Sequence, residues 1–142
     1  MQLTLFSDYS LRLMMYVAMS NGRRVTIEEA ANAYDISRAH LMKVAQFLVR
    51  EGFLEATRGR TGGLTLSRSA EEISLGSLVQ ATETGFDLVE CFGEGGRCKI
   101  GQVCRLRGVL GEAMQAFLQV LDRYTLADMV SRSEDFDFLR VA

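Results

Sequence analysis

The chain has 142 residues, 48 % of them apolar, which is enough for one packed domain with an appendage and too much for a disordered tail. Its net charge of −2 excludes a uniformly basic surface, and no run reaches the roughly 18 uncharged apolar residues that a membrane span needs. The opening Met1-Gln2-Leu3-Thr4-Leu5-Phe6 lacks the basic and apolar regions of a signal peptide, so a cytoplasmic protein is expected.

Proline is absent, which suits a chain built from helices. The first predicted helix covers residues 7–19: Ser7 is placed to cap it, Asp8 adds negative charge to its first turn, and Leu11, Met14, Met15 and Ala18 recur at helical spacing. Asn21-Gly22 ends it. A short helix is predicted from Ile27 to Tyr34, capped by Thr26, with Glu29 completing a capping box. After the Asp35-Ile36 turn, Ser37 caps a second helix from about Arg38 to Glu51. Its apolar stripe is Leu41, Val44, Ala45 and Leu48, and Gly52 ends it. Two helices joined so tightly are spaced as in a helix-turn-helix.

Two short strands are predicted next, Phe53–Thr57 and Leu64–Leu66, around the glycine-rich tip Arg58-Gly59-Arg60-Thr61-Gly62-Gly63. A hairpin directly behind a recognition helix is a wing. The expected fold is therefore mainly α with a small β-hairpin: a winged helix-turn-helix over residues 1–83. Ser74 caps a last helix of that unit, running to about Ala81. Residues 84–104 form a loop that holds all three cysteines. Residues 105–130 comprise a long helix from about Arg105 to Tyr124 and a short turn capped by Thr125, and 131–142 are expected to be a weakly ordered tail. The long helix carries an apolar seam, Leu106, Leu110, Ala113/Met114, Phe117, Val120/Leu121 and Tyr124, with few partners in so small a chain. A second copy would cover it.

Residues 1–68 carry nine Lys/Arg against six Asp/Glu, and residues 69–142 seven against twelve, so a basic front half precedes an acidic back half. The start of a recognition helix reads base edges, which here offers Ser37, Arg38, His40 and Lys43 to double-stranded DNA. Arg58 and Arg60 on the wing can enter a minor groove, and Gly62-Gly63 let the hairpin backbone approach the duplex.

Cys91-x6-Cys98-x5-Cys104 is an odd number of thiols in one polar, glycine-rich loop (Gly93, Gly95, Gly96, Gly101), a pattern for metal or redox chemistry rather than disulfides. Thiolates are soft ligands for iron–sulfur clusters or zinc, and Arg97, Lys99 and Arg105 offset their charge. Structural zinc wants four protein ligands, and the single histidine, His40, belongs to the predicted reading helix, so the deficit favours a cluster over zinc. No Cys-x-x-Cys pair, catalytic triad or nucleotide loop is present, so an enzyme is not expected; a cluster-bearing redox protein is the remote alternative.

Met1-Gln2-Leu3-Thr4, Ser7-Asp8-Tyr9, Ile36-Ser37-Arg38-Ala39-His40-Leu41-Met42-Lys43-Val44, Arg58–Gly63, the three-cysteine loop and Leu121-Asp122-Arg123-Tyr124-Thr125-Leu126-Ala127-Asp128 together resemble the winged-helix iron–sulfur transcription regulators of the NsrR/IscR type. The likeness covers about residues 1–130 and is strongest to the nitric-oxide-sensing repressors of that family. The resemblance implies a homodimer on palindromic promoter DNA, with Cys91, Cys98 and Cys104 holding a cluster whose damage by nitric oxide releases the DNA. One branch of the family adds a histidine three residues after the last cysteine. Arg107 stands there in this chain, which excludes that branch's [2Fe-2S] ligand set. The resemblance then implies a [4Fe-4S] cluster, with Asp8 of the partner subunit as its fourth ligand; a [2Fe-2S] cluster on other ligands stays open. The same fold and cluster sensing iron availability, cluster status or oxidants is the alternative, followed by a zinc-stabilised regulator.

Overall fold

In the computed structural model, which describes residues 2–93, 98–101 and 103–140, the first helix begins earlier than its sequence suggests. Helix α1 spans Leu5–Met19 and is capped by Thr4, whose Oγ1 accepts from the Ser7 amide at 3.2 Å. Ser7 is not the cap; it is fully buried one turn inside. The buried stripe runs through Ser7, Ser10, Leu13, Met14 and Val17, while Leu11, Met15 and Ala18 are only partly covered. Two small serines make this register possible. Ser10 Oγ donates back to the Phe6 carbonyl at 2.7 Å, so its hydroxyl is satisfied without water.

Helices α2 (Ile27–Tyr34) and α3 (Arg38–Arg50) follow as expected, joined through Asp35, which adopts left-handed φ of 52°. The capping box at Thr26 is half made: the Glu29 amide donates to Thr26 Oγ1 at 3.1 Å. The Glu29 carboxylate turns instead to Arg23, with Nη1–Oε2 at 3.1 Å, and accepts from the Tyr16 hydroxyl at 3.2 Å. Hydrogen bonding to Arg23 holds the Glu29 carboxyl below its ordinary 4.5 despite partial burial. The unfolded chain therefore binds that proton more readily than the folded one, so the pair's stabilisation is complete above pH 4.5 and fades as acid takes the pH through the lower folded value. Glu29→Gln is expected to lower the urea midpoint near neutral pH, with the gap to the parent closing in acid.

Strands β1 (Leu54–Thr57) and β2 (Gly63–Leu66) pair antiparallel, Leu54 opposite Leu66 and Thr57 opposite Gly63. Val25 joins them by a bridge to Leu64, exchanging both backbone hydrogen bonds at 3.0 and 2.7 Å. Helix α4 (Leu75–Thr82), capped by Ser74, closes the head. Leu13, Met14, Leu41, Leu48, Leu54, Ile73 and Leu78 form the core, each at most 2 % exposed.

Helix α5 (Arg105–Asp122) leans on α4 and buries none of its own residues. Its C-terminal end is locked to the head. Asp122 Oδ1 accepts from Ser74 Oγ at 3.3 Å, and the Leu75 amide donates to the Tyr124 carbonyl at 3.0 Å. A Cβ on the buried Gly76 would land on the Asp122 carboxylate. Gly76→Ala is expected to cost about 1–3 kcal/mol through overpacking, read as a lower thermal midpoint that the added change Asp122→Ala restores in part.

Helix α6 (Leu126–Met129) is capped by Thr125, as expected, with Asp128 returning the bond to the Thr125 amide at 2.7 Å. The segment expected to be weakly ordered folds in part. Ser133–Phe136 form a 3-10 turn and α7 (Asp137–Arg140) follows, with Leu139 only 8 % exposed against the head. Leu139 and the half-buried Phe136 supply the apolar anchors that hold it there. Residues 141 and 142 lie outside the described residues.

Candidate DNA interface and cysteine loop

Helix α3 turns Leu41, Val44, Ala45 and Leu48 into the core, which leaves the other side of its first turns to solvent. Ser37, the cap, receives the His40 amide at 3.5 Å, and Ser37, Arg38, His40 and Lys43 are all exposed. All four predicted residues are thus open to solvent in the first turns of the helix. His40 also does something the sequence did not announce. Its ring lies beside Tyr9 of α1, centroids 6.4 Å apart, and elsewhere between the same two helices Phe6 meets Phe47 edge to face at 5.1 Å. Between the two helices Leu5, Phe6, Tyr9, His40, Lys43 and Val44 line an apolar cleft of about 190 Å3.

Arg58 and Arg60 stand exposed on the hairpin tip. Gly62 and Gly63 prove to be needed by the hairpin itself. A Cβ on Gly62 would strike the Thr57 carbonyl oxygen, and one on Gly63 would come within 2.9 Å of the Val25 carbonyl oxygen. Whatever they allow at a duplex, their own backbone already demands glycine. Arg24, given no part by the sequence reading, also reaches the wing: its Nη1 donates to the Thr61 carbonyl at 3.3 Å. The signal that could have found it is the pairing of Val25 with Leu64, too short to show as a strand pattern.

Asp8 sits in the first turns of α1, half-buried. Its carboxylate is gripped by Arg12 one turn on, Oδ2–Nη2 at 2.8 Å and Oδ1–Nε at 3.1 Å. The helix start is tied to the root of the cysteine loop by Glu83, whose Oε1 accepts from the Thr4 amide at 2.8 Å and the Thr4 hydroxyl at 3.1 Å. Burial pushes the Glu83 carboxyl up, but bonds from Ser7 and Thr4 together outweigh it and hold it below its usual value.

Cys91 lies in a 3-10 turn (Glu90–Phe92) and is half-buried; Cys98 is exposed; Cys104 occupies the cap position of α5 and is half-buried. None is in a disulfide. Cys104 and Arg107 open onto a groove walled by Phe86, Asp87 and Phe92. Gly95, Gly96 and Arg97 lie outside the described residues. Among the described residues no three Cys, His, Asp or Glu side chains are gathered closely enough to hold a metal ion. The donor chemistry fits an iron–sulfur cluster all the same: three free thiols on one segment, two of them half-buried and one of these, Cys104, beside the aromatic walls of the groove.

Residues 3–132 match the Rrf2 family, described as iron-dependent transcriptional regulators. The chain belongs to the Rrf2 family. Among its relatives is the HTH-type transcriptional regulator NsrR of Halalkalibacterium halodurans, 43 % identical over 98 % of this chain and 97 % of that one. NsrR of Bacillus subtilis is 44 % identical over 95 % and 94 %. In three dimensions the fold resembles T. potens IscR, with a TM-score of 0.74 at 22 % identity over 95 % of this chain and 90 % of that one. It also resembles CymR, the global cysteine regulator of B. subtilis, with a TM-score of 0.66 at 23 % identity over 92 % and 97 %. This Rrf2 chain is thus a winged-helix, DNA-binding transcriptional regulator and not an enzyme. No helix of its described residues is long and apolar enough to cross a membrane.

Proposed function

We propose that this Rrf2 protein is a homodimeric repressor that senses nitric oxide through an iron–sulfur cluster held by Cys91, Cys98 and Cys104. The observation that carries the reading is the position of the three free thiols. They sit on one loop between the DNA-binding head and α5, in a chain that matches NsrR regulators over nearly its whole length. Bound to these thiolates, a cluster, most simply [4Fe-4S], supplies iron able to react with nitric oxide.

The chain's own residues do the rest. Ser37, Arg38, His40 and Lys43 present donors to a major groove, Arg58 and Arg60 reach the adjoining minor groove, and the glycine turn keeps the wing narrow. Residues 1–83 serve as the head, 84–104 as the sensor loop and 105–130 as the pairing element; two copies joined along α5 would meet a palindromic operator in the cytoplasm. Asp8 of the partner subunit is the proposed fourth ligand, and to serve it must exchange Arg12 for iron. Tyr9 and Phe6 flank Asp8 and touch α3, so a shift of that turn reaches the reading helix directly. A coupling of about 1–3 kcal/mol changes affinity roughly 5–150-fold, enough for a switch.

The test is protein purified without air, with its visible spectrum, iron and sulfide counts, and promoter retention recorded before and after nitric oxide. Colour with loss of promoter binding on nitric oxide is the expected outcome. A second reading, response to iron supply, is favoured by the iron dependence in the family's description. Release by chelator but not by the gas would select it.

A further inference from the structure

Residues 1–68 carry nine lysine and arginine side chains, and the structure divides them cleanly. Arg12 is paired with Asp8, Arg23 with Glu29, and Arg50 with Glu51. The Arg68 guanidinium lies over the Phe53 ring, 5.4 Å from its centroid. Like Arg68, the other five have no carboxylate within ion-pair distance among the described residues: Arg38, Lys43, Arg58, Arg60 and Arg24. Four of these are the cations assigned to the DNA face by their place on α3 and the wing. The fifth, Arg24, has no assigned role.

Its position is defined. The bridge between Val25 and Leu64 fastens this stretch of chain to β2, and the Arg24 Cβ lies 3.0 Å from where a Cβ on Gly63 would stand. From there the side chain runs toward the hairpin tip and donates one N–H to the Thr61 carbonyl. That acceptor is neutral, so the positive charge is not cancelled, and the other guanidinium N–H groups are not used by it. A cation left uncompensated beside the tip of a DNA-entering hairpin has an evident counterpart in the phosphates bordering the groove.

We infer that Arg24 is a DNA-contacting residue: its guanidinium, propped on the Thr61 carbonyl, neutralises one backbone phosphate beside the minor groove that the wing enters. It contributes affinity and register, not base choice. The inference rests on the DNA-binding reading, which the parent protein's own salt-dependent binding tests separately.

The experiment is fluorescence anisotropy of the full chain on labelled random-sequence duplex DNA and on a promoter duplex over a salt series. Arg24→Gln is expected to reduce the slope of log affinity against log salt by about 0.9 per bound subunit. The loss should be the same factor on both duplexes, with an unchanged thermal midpoint, and Arg24→Lys should restore the slope. An unchanged slope in Arg24→Gln overturns the inference. So does a lost slope that comes with a lowered midpoint and is not restored by lysine, since Arg24 would then only hold the wing together. A changed preference between the two duplexes overturns the phosphate assignment in favour of base reading.

Discussion

Replacing Leu106 and Val109 together by aspartate should leave the protein monomeric in sedimentation and weaken its hold on a two-half-site operator on the order of 10²–10⁴-fold. Both side chains are 60 % exposed, Val120 and Tyr124 are nearly half exposed, and no residue of α5 is fully buried in its own chain. A helix of 18 residues with so much apolar surface in water is stabilised only weakly by its own sequence. Covering each such side chain in a partner is worth about 1.5–3 kcal/mol. The head should be untouched, because its core contains no residue of α5. Far-UV circular dichroism and non-specific DNA binding of the variant should therefore stay close to a single head of the parent. A parent that sediments as a monomer, or a double variant that still dimerises, would refute the pairing role.

The second large effect is expected at the cysteines. Cys91→Ser, Cys98→Ser and Cys104→Ser, each made and purified without air, should lose the visible absorption and hold promoter DNA no better than random sequence. Cys98 is exposed, Cys91 and Cys104 are half-buried, and none belongs to the core, so their removal should leave the thermal midpoint of the head nearly unchanged. That separates loss of a ligand from loss of folding. If all three variants kept promoter binding and still released it to nitric oxide, the thiols would have no part in sensing.

The architecture was legible in the sequence wherever punctuation and periodicity agreed. Thr26, Ser37, Ser74 and Thr125 each cap the helix assigned to them, and the glycine-rich tip between two β-prone runs folds as the wing. What escaped reading depended on tertiary choices. Ser7 looked like a cap because it is a serine before an apolar run. Thr4 wins because Phe6 gains its contact with Phe47 by joining the helix, while Ser7 fits a close-packed face. Glu29 suited a capping box, yet a charged partner in Arg23 outcompetes a backbone amide for its carboxylate. The folded tail was invisible because a few apolar residues scattered among charges carry no periodic signal. For the site, the face of α3 followed directly from its buried stripe. Arg24 did not, because its place depends on a bridge between segments 39 residues apart in sequence, Val25 and Leu64.

The collision that any side chain at Gly62 or Gly63 would suffer with the chain's own carbonyls has one more consequence. A wing shaped by such close internal contacts is preorganised before any duplex arrives, so insertion sacrifices little loop entropy. Differences between strong and weak promoters should then surface as differences in residence time, with encounter rates that barely change from one sequence to the next.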